Sequence, residues 1–161
     1  MTVVWMRGER DLEENRETGR LGYEFVGQGV CCVDLGGEEA VFPTRKFGRL
    51  CSLERELSVP YTIHAGEADG PESIRAALSF GARRLGHGVR CVEDPRLVEQ
   101  LKKEQFTLEV CVISNLQTKA VPAGTIHPIL KLLREGLRVT VTTDNMTLSG
   151  TTVAGEIAYL K

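Results

Sequence analysis

The rest of the chain is organised around the stretch Tyr61-Thr62-Ile63-His64-Ala65-Gly66-Glu67. This stretch follows Pro60 and has the pattern of a short apolar strand that ends in an imidazole, with a glycine turn and a carboxylate directly after it. Two later strands end in a similar way, at Leu85-Gly86-His87-Gly88 and at Thr143-Asp144-Asn145. Polar groups at three strand ends predict a functional site at one edge of a sheet.

The rest of the chain alternates strands and helices at intervals of about 25 to 30 residues, which is typical of a parallel sheet with crossover helices. The glycine signature of a dinucleotide fold and a phosphate-binding loop are both missing. We therefore predict an α/β fold, an incomplete TIM (β/α) barrel with about six parallel strands and crossover helices, because a full barrel needs eight strands and about 250 residues. The predicted strands start near residues 2, 30, 61, 84, 106 and 137, and the predicted helices start near residues 11, 44, 71, 95, 128 and 151.

The composition excludes several classes of protein. The 161 residues are 42% hydrophobic and 26% charged, which argues against disorder and against a fibrous protein. The net charge of −2 shows no surplus of basic residues of the kind that binds nucleic acid. No apolar run approaches the roughly 20 residues of a membrane helix. The five cysteines form no C-x-x-C pair and favour reduced thiols in a cytoplasmic protein.

Five polar residues are candidates for chemistry. His64 and Glu67 have the types of a metal ligand and a proton donor, and Zn²⁺ accepts both imidazole and carboxylate. His87, between two glycines, is either a base or a buried imidazole bonded to a carbonyl group. Asp144 and Asn145 are either a metal ligand with its neighbour or a helix cap.

Three other acidic residues carry no assigned chemistry. Glu109 is either a buried partner of His87 or an outward-facing residue. The pair Glu38-Glu39 is interpreted as a solvated face.

These motifs together resemble the bacterial adenosine deaminases of the adenosine/AMP deaminase family. The resemblance covers nearly the whole chain and is densest at Asp34 to Glu39, His64 to Glu67, Ala82 to Pro95, and Glu109 to Asn115 with Thr143-Asp144. It implies a zinc-containing (β/α)₈ barrel that hydrolyses adenosine to inosine and ammonia.

The resemblance also implies roles for individual residues. His64 and Asp144 match zinc ligands, and Asp144 also orients the attacking water. Glu67 matches the group that protonates N1 of the purine, and His87 matches the group that helps to deprotonate the water. The backbone N–H of Gly37 matches the donor to N3.

Some positions depart from the family pattern. Asn145 stands where the family commonly has an Asp facing N7, and an amide supplies the donor that N7 needs. The H-x-H pair that supplies two further zinc ligands in the family has no counterpart here. We therefore expect residues 1–161 to be the C-terminal portion of a deaminase barrel that starts near its third strand, with little activity in isolation.

Two alternatives remain. The substrate is adenosine or deoxyadenosine, or instead adenine or another 6-aminopurine, although Gly86 favours the nucleoside because adenine-specific relatives tend to carry Asp there. Alternatively, the chain is an inactive partial barrel that forms homo-oligomers through its open edges. The expected partner is a small purine nucleoside, with no nucleic acid and no membrane.

Overall fold

The computed structural model describes residues 1–8 and 12–161, apart from the side chains of residues 12, 53–55 and 57. The predicted first residue of the first helix, Asp11, lies outside the described residues. Six strands form one sheet in chain order, and each neighbouring pair is parallel. The strands are β1 (Thr2–Met6), β2 (Cys32–Gly36), β3 (Tyr61–Ala65), β4 (Arg84–His87), β5 (Thr107–Val110) and β6 (Arg138–Val141).

Helices connect the strands. They are α1 (Leu12–Phe25), α2 (Gly48–Leu57), α3 (Pro71–Ser79), α4 (Pro95–Lys103), α5 (Val112–Gln117), α6 (Ile129–Arg134), α7 (Met146–Ser149) and α8 (Val153–Tyr159), with 3₁₀ turns at Thr44–Phe47 and Val89–Glu93. The short helices α5 and α7 are absent from the sequence prediction. None of the described helices is both long and apolar enough to cross a bilayer.

The two faces of the sheet differ sharply. On one face, alternate strand residues pack against helices α2, α3, α4 and α6. The fully buried ones include Trp5, Val33, Leu35, Ile63, Leu85, Leu108 and Val110, whereas Val3, Tyr61, Val139 and Val141 are partly buried. The other face is polar, because the parallel register aligns Asp34 with Thr62 and Gly86 with both His64 and Glu109. The core thus fixes the sheet from one side and leaves polar groups on the other.

Two polar residues at strand ends adopt left-handed backbone conformations. His87, the last residue of β4, has φ of 60°, and Asp144, three residues after β6, has φ of 56°. Non-glycine residues adopt this region at a cost of about 1–2 kcal/mol, in tight turns and at functional sites. Ser58, Gln105 and Lys119 adopt it after helices, whereas His87 and Asp144 adopt it where strands end beside the polar face of the sheet.

Candidate active site

His64 lies on the polar face of β3 and is held by a carboxylate on the neighbouring strand. Its Nδ1 atom lies 2.9 Å from Oδ2 of Asp34 on β2. Burial lowers the pKa of His64, but the hydrogen bond and charge of Asp34 outweigh it, and the net shift is upward. Asp34 therefore orients the imidazole and stabilises its positive form, a role that the sequence analysis did not assign.

The buried His87 pairs with the partly buried Glu67 next to His64. Nε2 of His87 lies 3.3 Å from Oε2 of Glu67, and the His87 ring centroid lies 5.1 Å from that of His64. Burial, with the nearby charge of His64, lowers the pKa of His87 to about 4, whereas burial raises the pKa of Glu67 above its ordinary value. The pair thus combines an imidazole that is neutral at pH 7 with a carboxyl group that is shifted toward its acid form.

Helix α5 supplies two neighbours of this pair. The amide nitrogen of the fully buried Asn115 lies 2.9 Å from Nδ1 of His87 and 3.4 Å from Oε1 of Glu67. Thr118, at the end of the same helix, donates a 3.0 Å hydrogen bond to Oε1 of Glu67. Asn115 therefore links the two ionisable groups, and the only sequence signal for it was its place in the resemblance.

Asp144 lies across a small cavity from the two histidines. Its Oδ2 atom accepts a 2.7 Å hydrogen bond from the hydroxyl of Ser114 on α5. The cavity has a volume of about 340 Å³ and is lined by His64, Gly86, His87, Glu109, Cys111, Thr142, Thr143 and Asp144. The structure thus brings His64, His87 and Asp144 together around one space, and Glu67 adjoins it through His87.

The two predicted substrate contacts lie on loops after β2 and β6. Gly37 has φ of 105°, and a Cβ atom there would lie 3.2 Å from the backbone nitrogen of Arg7. The side-chain oxygen of Asn145 accepts 3.0 Å hydrogen bonds from the backbone N–H groups of Thr147 and Leu148. Asn145 therefore caps α7, as the capping alternative proposed.

The described residues supply only part of a zinc site. His64 and Asp144 offer the nitrogen and oxygen donors that zinc accepts. Within residues 1–8 and 12–161, however, no three His, Cys, Asp or Glu side chains are grouped so that they could hold a metal. Since a catalytic zinc site uses three protein ligands, these residues fit zinc in type but not in number.

Two acidic residues differ from their interpretation in the sequence. Glu39 is only 3% exposed, so its assignment to a solvated face was wrong. Glu109 forms an ion pair at 2.6 Å with Arg84 on the polar face and accepts a 3.4 Å hydrogen bond from Thr62, so these two residues take the place of the suggested partner His87.

Comparisons with known proteins agree with this architecture. The adenosine deaminase family model matches residues 1–161. The adenosine deaminase of Haemophilus ducreyi is 40% identical over 163 residues, which cover 99% of this chain and 47% of that protein.

Solved structures give the same result. An adenine deaminase from Arthrobacter aurescens is 28% identical with a TM-score of 0.85, and the match covers 99% of this chain and 48% of that one. The N6-methyl-AMP deaminase of Arabidopsis thaliana is 27% identical with a TM-score of 0.86, and the match covers 98% and 46%. The predicted incomplete barrel of parallel strands is confirmed, and the chain spans about half the length of these relatives. Residues 1–161 therefore belong to the adenosine deaminase family.

Proposed function

We propose that this chain is part of a zinc-dependent enzyme that hydrolyses adenosine and deoxyadenosine to inosine and ammonia. The observation that carries the proposal is the pair formed by the buried His87 and the partly buried Glu67, whose Nε2 and Oε2 atoms lie 3.3 Å apart and whose pKa shifts both favour the neutral forms. Burial thus leaves His87 with a neutral ring that can accept a proton and favours the acid form of Glu67, which can donate one. The names of the relatives support a purine, since adenosine, adenine and N6-methyl-AMP all carry an amino or methylamino group at C6.

The two groups have complementary tasks in this reaction. Glu67, in its acid form, donates a proton to N1 of the purine, which makes C6 a better electrophile. His87 is neutral at pH 7 and accepts a proton from the water that attacks C6. Transfer of that proton to the amino group lets ammonia leave, and the new hydroxyl at C6 returns a proton to the Glu67 carboxylate as the carbonyl of inosine forms.

We propose that His64 and Asp144 are zinc ligands and that the remaining ligands come from outside the described residues. Zinc in such a site lowers the pKa of water toward neutrality. Asp34 supports this assignment because it fixes the ring of His64 through Nδ1 and leaves Nε2 for a ligand bond. We accordingly propose that residues 1–161 are the C-terminal portion of a longer barrel.

We propose two contacts to the base. The backbone N–H of Gly37 donates to N3, in a left-handed turn that glycine adopts without strain. The side-chain amide of Asn145 donates to N7. The helix cap is consistent with this contact, because it engages only the oxygen of Asn145 and leaves the NH₂ group available as a donor.

We also propose a cytoplasmic location. Cys91 and Cys111 are free and buried thiols, as is usual for proteins kept in a reducing compartment.

The first prediction tests the function in a chimera that joins this chain to the part of the Haemophilus ducreyi adenosine deaminase that the chain does not match. We expect the zinc-loaded chimera to release ammonia from adenosine, measured together with the change in purine absorbance. Substitution Glu67→Gln removes the proton donor and should lower kcat by about 100-fold or more. Glu99→Gln, at an exposed carboxylate on α4, is the matched control and should leave kcat unchanged.

A folded chimera that binds zinc and releases no ammonia from any 6-aminopurine would contradict the proposal. Adenine and AMP belong in the same assay, because relatives that act on adenine and on N6-methyl-AMP share this fold. A kcat/KM higher for adenine than for adenosine would favour the alternative substrate.

A further inference from the structure

The carboxylate of Glu39 contacts the turn that carries the proposed proton donor Glu67. Glu39 follows β2 by three residues and is 3% exposed, although its neighbour Glu38 is exposed. A buried carboxylate is costly unless hydrogen bonds replace its hydration. Its partners therefore show what the residue does.

Glu39 accepts hydrogen bonds from four consecutive backbone amides. Its Oε1 atom lies 2.7 Å from the nitrogen of Gly66, and its Oε2 atom lies 3.0, 2.8 and 3.0 Å from the nitrogens of Glu67, Ala68 and Asp69. The hydroxyl of Ser73 on α3 also donates to Oε1. Five donors thus converge on one carboxylate, and one of them is the amide of Glu67 itself.

Arg7 holds the start of the same turn through a second set of hydrogen bonds. The guanidinium of Arg7, itself 5% exposed, donates to the backbone carbonyl of His64 and at 2.9 Å to the hydroxyl of Thr44. The hydroxyl of Thr44 lies 2.6 Å from that of Ser73, which bonds Glu39. One continuous chain of buried polar groups therefore fixes both ends of the segment from His64 to Asp69.

We propose that Glu39 is a positioning residue for Glu67, which it holds beside His87 by gathering the amides of residues 66–69. The proposal rests on the proposed function for its catalytic meaning, but the geometry of the turn can be measured without it. The charge is required because all five partners are donors, and a glutamine offers one acceptor oxygen and places an NH₂ group against the remaining N–H groups.

The test is residue-resolved amide hydrogen exchange of the 161-residue chain, with Glu39→Gln compared to the matched control Glu38→Gln. In Glu39→Gln, exchange of the amides at positions 66–69 should accelerate by about tenfold or more, while the amides of Ile63 and Leu108 in the sheet keep their protection. Glu38→Gln should leave both sets of amides unchanged. Unchanged exchange at 66–69, or equal acceleration in the sheet, would overturn the proposal.

If Glu39→Gln does not fold, Glu39→Asp carries the test. This variant keeps the charge but withdraws both oxygens by one methylene group, so the same four amides must exchange faster than in the parent chain.

Kinetics of the chimera provide a second readout. We expect Glu39→Gln to lower kcat by about 10- to 100-fold with a smaller change in KM, because a displaced acid affects the transition state more than substrate binding. A fall in kcat that disappears once the rate is divided by the concentration of folded, zinc-loaded chimera would indicate a purely structural role. If the parent chimera is inactive while the exchange result holds, the proposed function fails and the role of Glu39 in the turn stands.

Discussion

At the scale of single residues, the sequence indicated the positions at strand ends but not the groups that orient them. His64, Glu67, His87 and Asp144 each follow an apolar run closely, so a strand pattern is enough to find them. Asp34 and Glu39 act through contacts with residues about 30 positions away, and only the pairing of β2 with β3 reveals such contacts. Charge patterns along the chain could not separate the buried Glu39 from the exposed Glu38.

Gly86 provides a second prediction, because its missing side chain makes room for His64. A Cβ atom at position 86 would lie 2.9 Å from Nδ1 of His64, so Gly86→Ala should displace the imidazole from Asp34. We expect the His64 ring resonances to shift in NMR spectra, and kcat/KM of the chimera to fall by about tenfold or more. Gly70→Ala is the control, since a Cβ atom there meets only ordinary contacts at 3.7 Å from Arg90. Unchanged His64 resonances in Gly86→Ala would contradict this account.

His127 gives the third prediction, which concerns pH. Burial lowers the pKa of His127 from 6.5 to about 4, and its Nδ1 atom accepts a 3.2 Å hydrogen bond from the N–H of Ile129. The unfolded chain binds a proton at His127 near pH 6.5, whereas the folded chain binds it only near pH 4. His127 therefore does not reduce the free energy of unfolding above pH 6.5 and reduces it progressively as the pH falls toward about 4. An asparagine at position 127 can still accept the hydrogen bond from Ile129 but does not titrate between pH 6.5 and about 4.

The free energy of unfolding of the parent chain and of His127→Asn should be measured in urea at both pH values. We expect the decrease from pH 6.5 to about pH 4 to be about 1–3 kcal/mol smaller in His127→Asn than in the parent chain. Equal losses would show that His127 does not drive the acid sensitivity.

At the scale of secondary structure, the long periodic elements were predictable and the short ones were not. The strands β1 and β4 start where the sequence predicted, at Thr2 and Arg84. Helices α5 and α7 have six and four residues and no apolar period to detect. Ser114 and Asn115 lie on α5, which turns both side chains toward the site.

The fourth prediction separates the two roles of Asn145. Asn145→Ser keeps an oxygen that can cap α7, so the free energy of unfolding should change by no more than about 0.5 kcal/mol. The variant lacks the amide donor, so KM for adenosine in the chimera should rise by about fivefold, as expected for loss of one hydrogen bond. Asn145→Ala should lose both properties. An unchanged KM in both variants would leave Asn145 with the capping role alone.

At the scale of the whole molecule, the sheet is covered on its apolar face, and both of its outer strands are unpaired within the described residues. The six-strand order and the length of the chain made this predictable from the sequence. The sequence did not indicate which apolar side chains would be exposed, because that depends on which strand lies at the edge of the sheet. On β1, Val4 is 43% exposed and Met6 is 53% exposed.

The fifth prediction is that the isolated chain self-associates through the β1 edge. Sedimentation velocity should show a sedimentation coefficient that rises with protein concentration. Val4→Lys places a charge on the edge strand and should shift the population toward monomers. Val41→Lys, at a valine that is 57% exposed in the turn after β2, makes the same chemical change away from the edge and should have no effect. Equal effects of both variants would indicate nonspecific hydrophobic contact.

The left-handed backbone at His87 and Asp144 has an evolutionary consequence. Glycine adopts this conformation without the steric penalty that both side chains incur. The buried His87 is also held by packing and by Asn115, whereas the exposed Asp144 is not, so a lineage relieved of selection for chemistry gains stability only at position 144. Descendants that have become pseudoenzymes should therefore drift to glycine or asparagine at position 144 before position 87 changes.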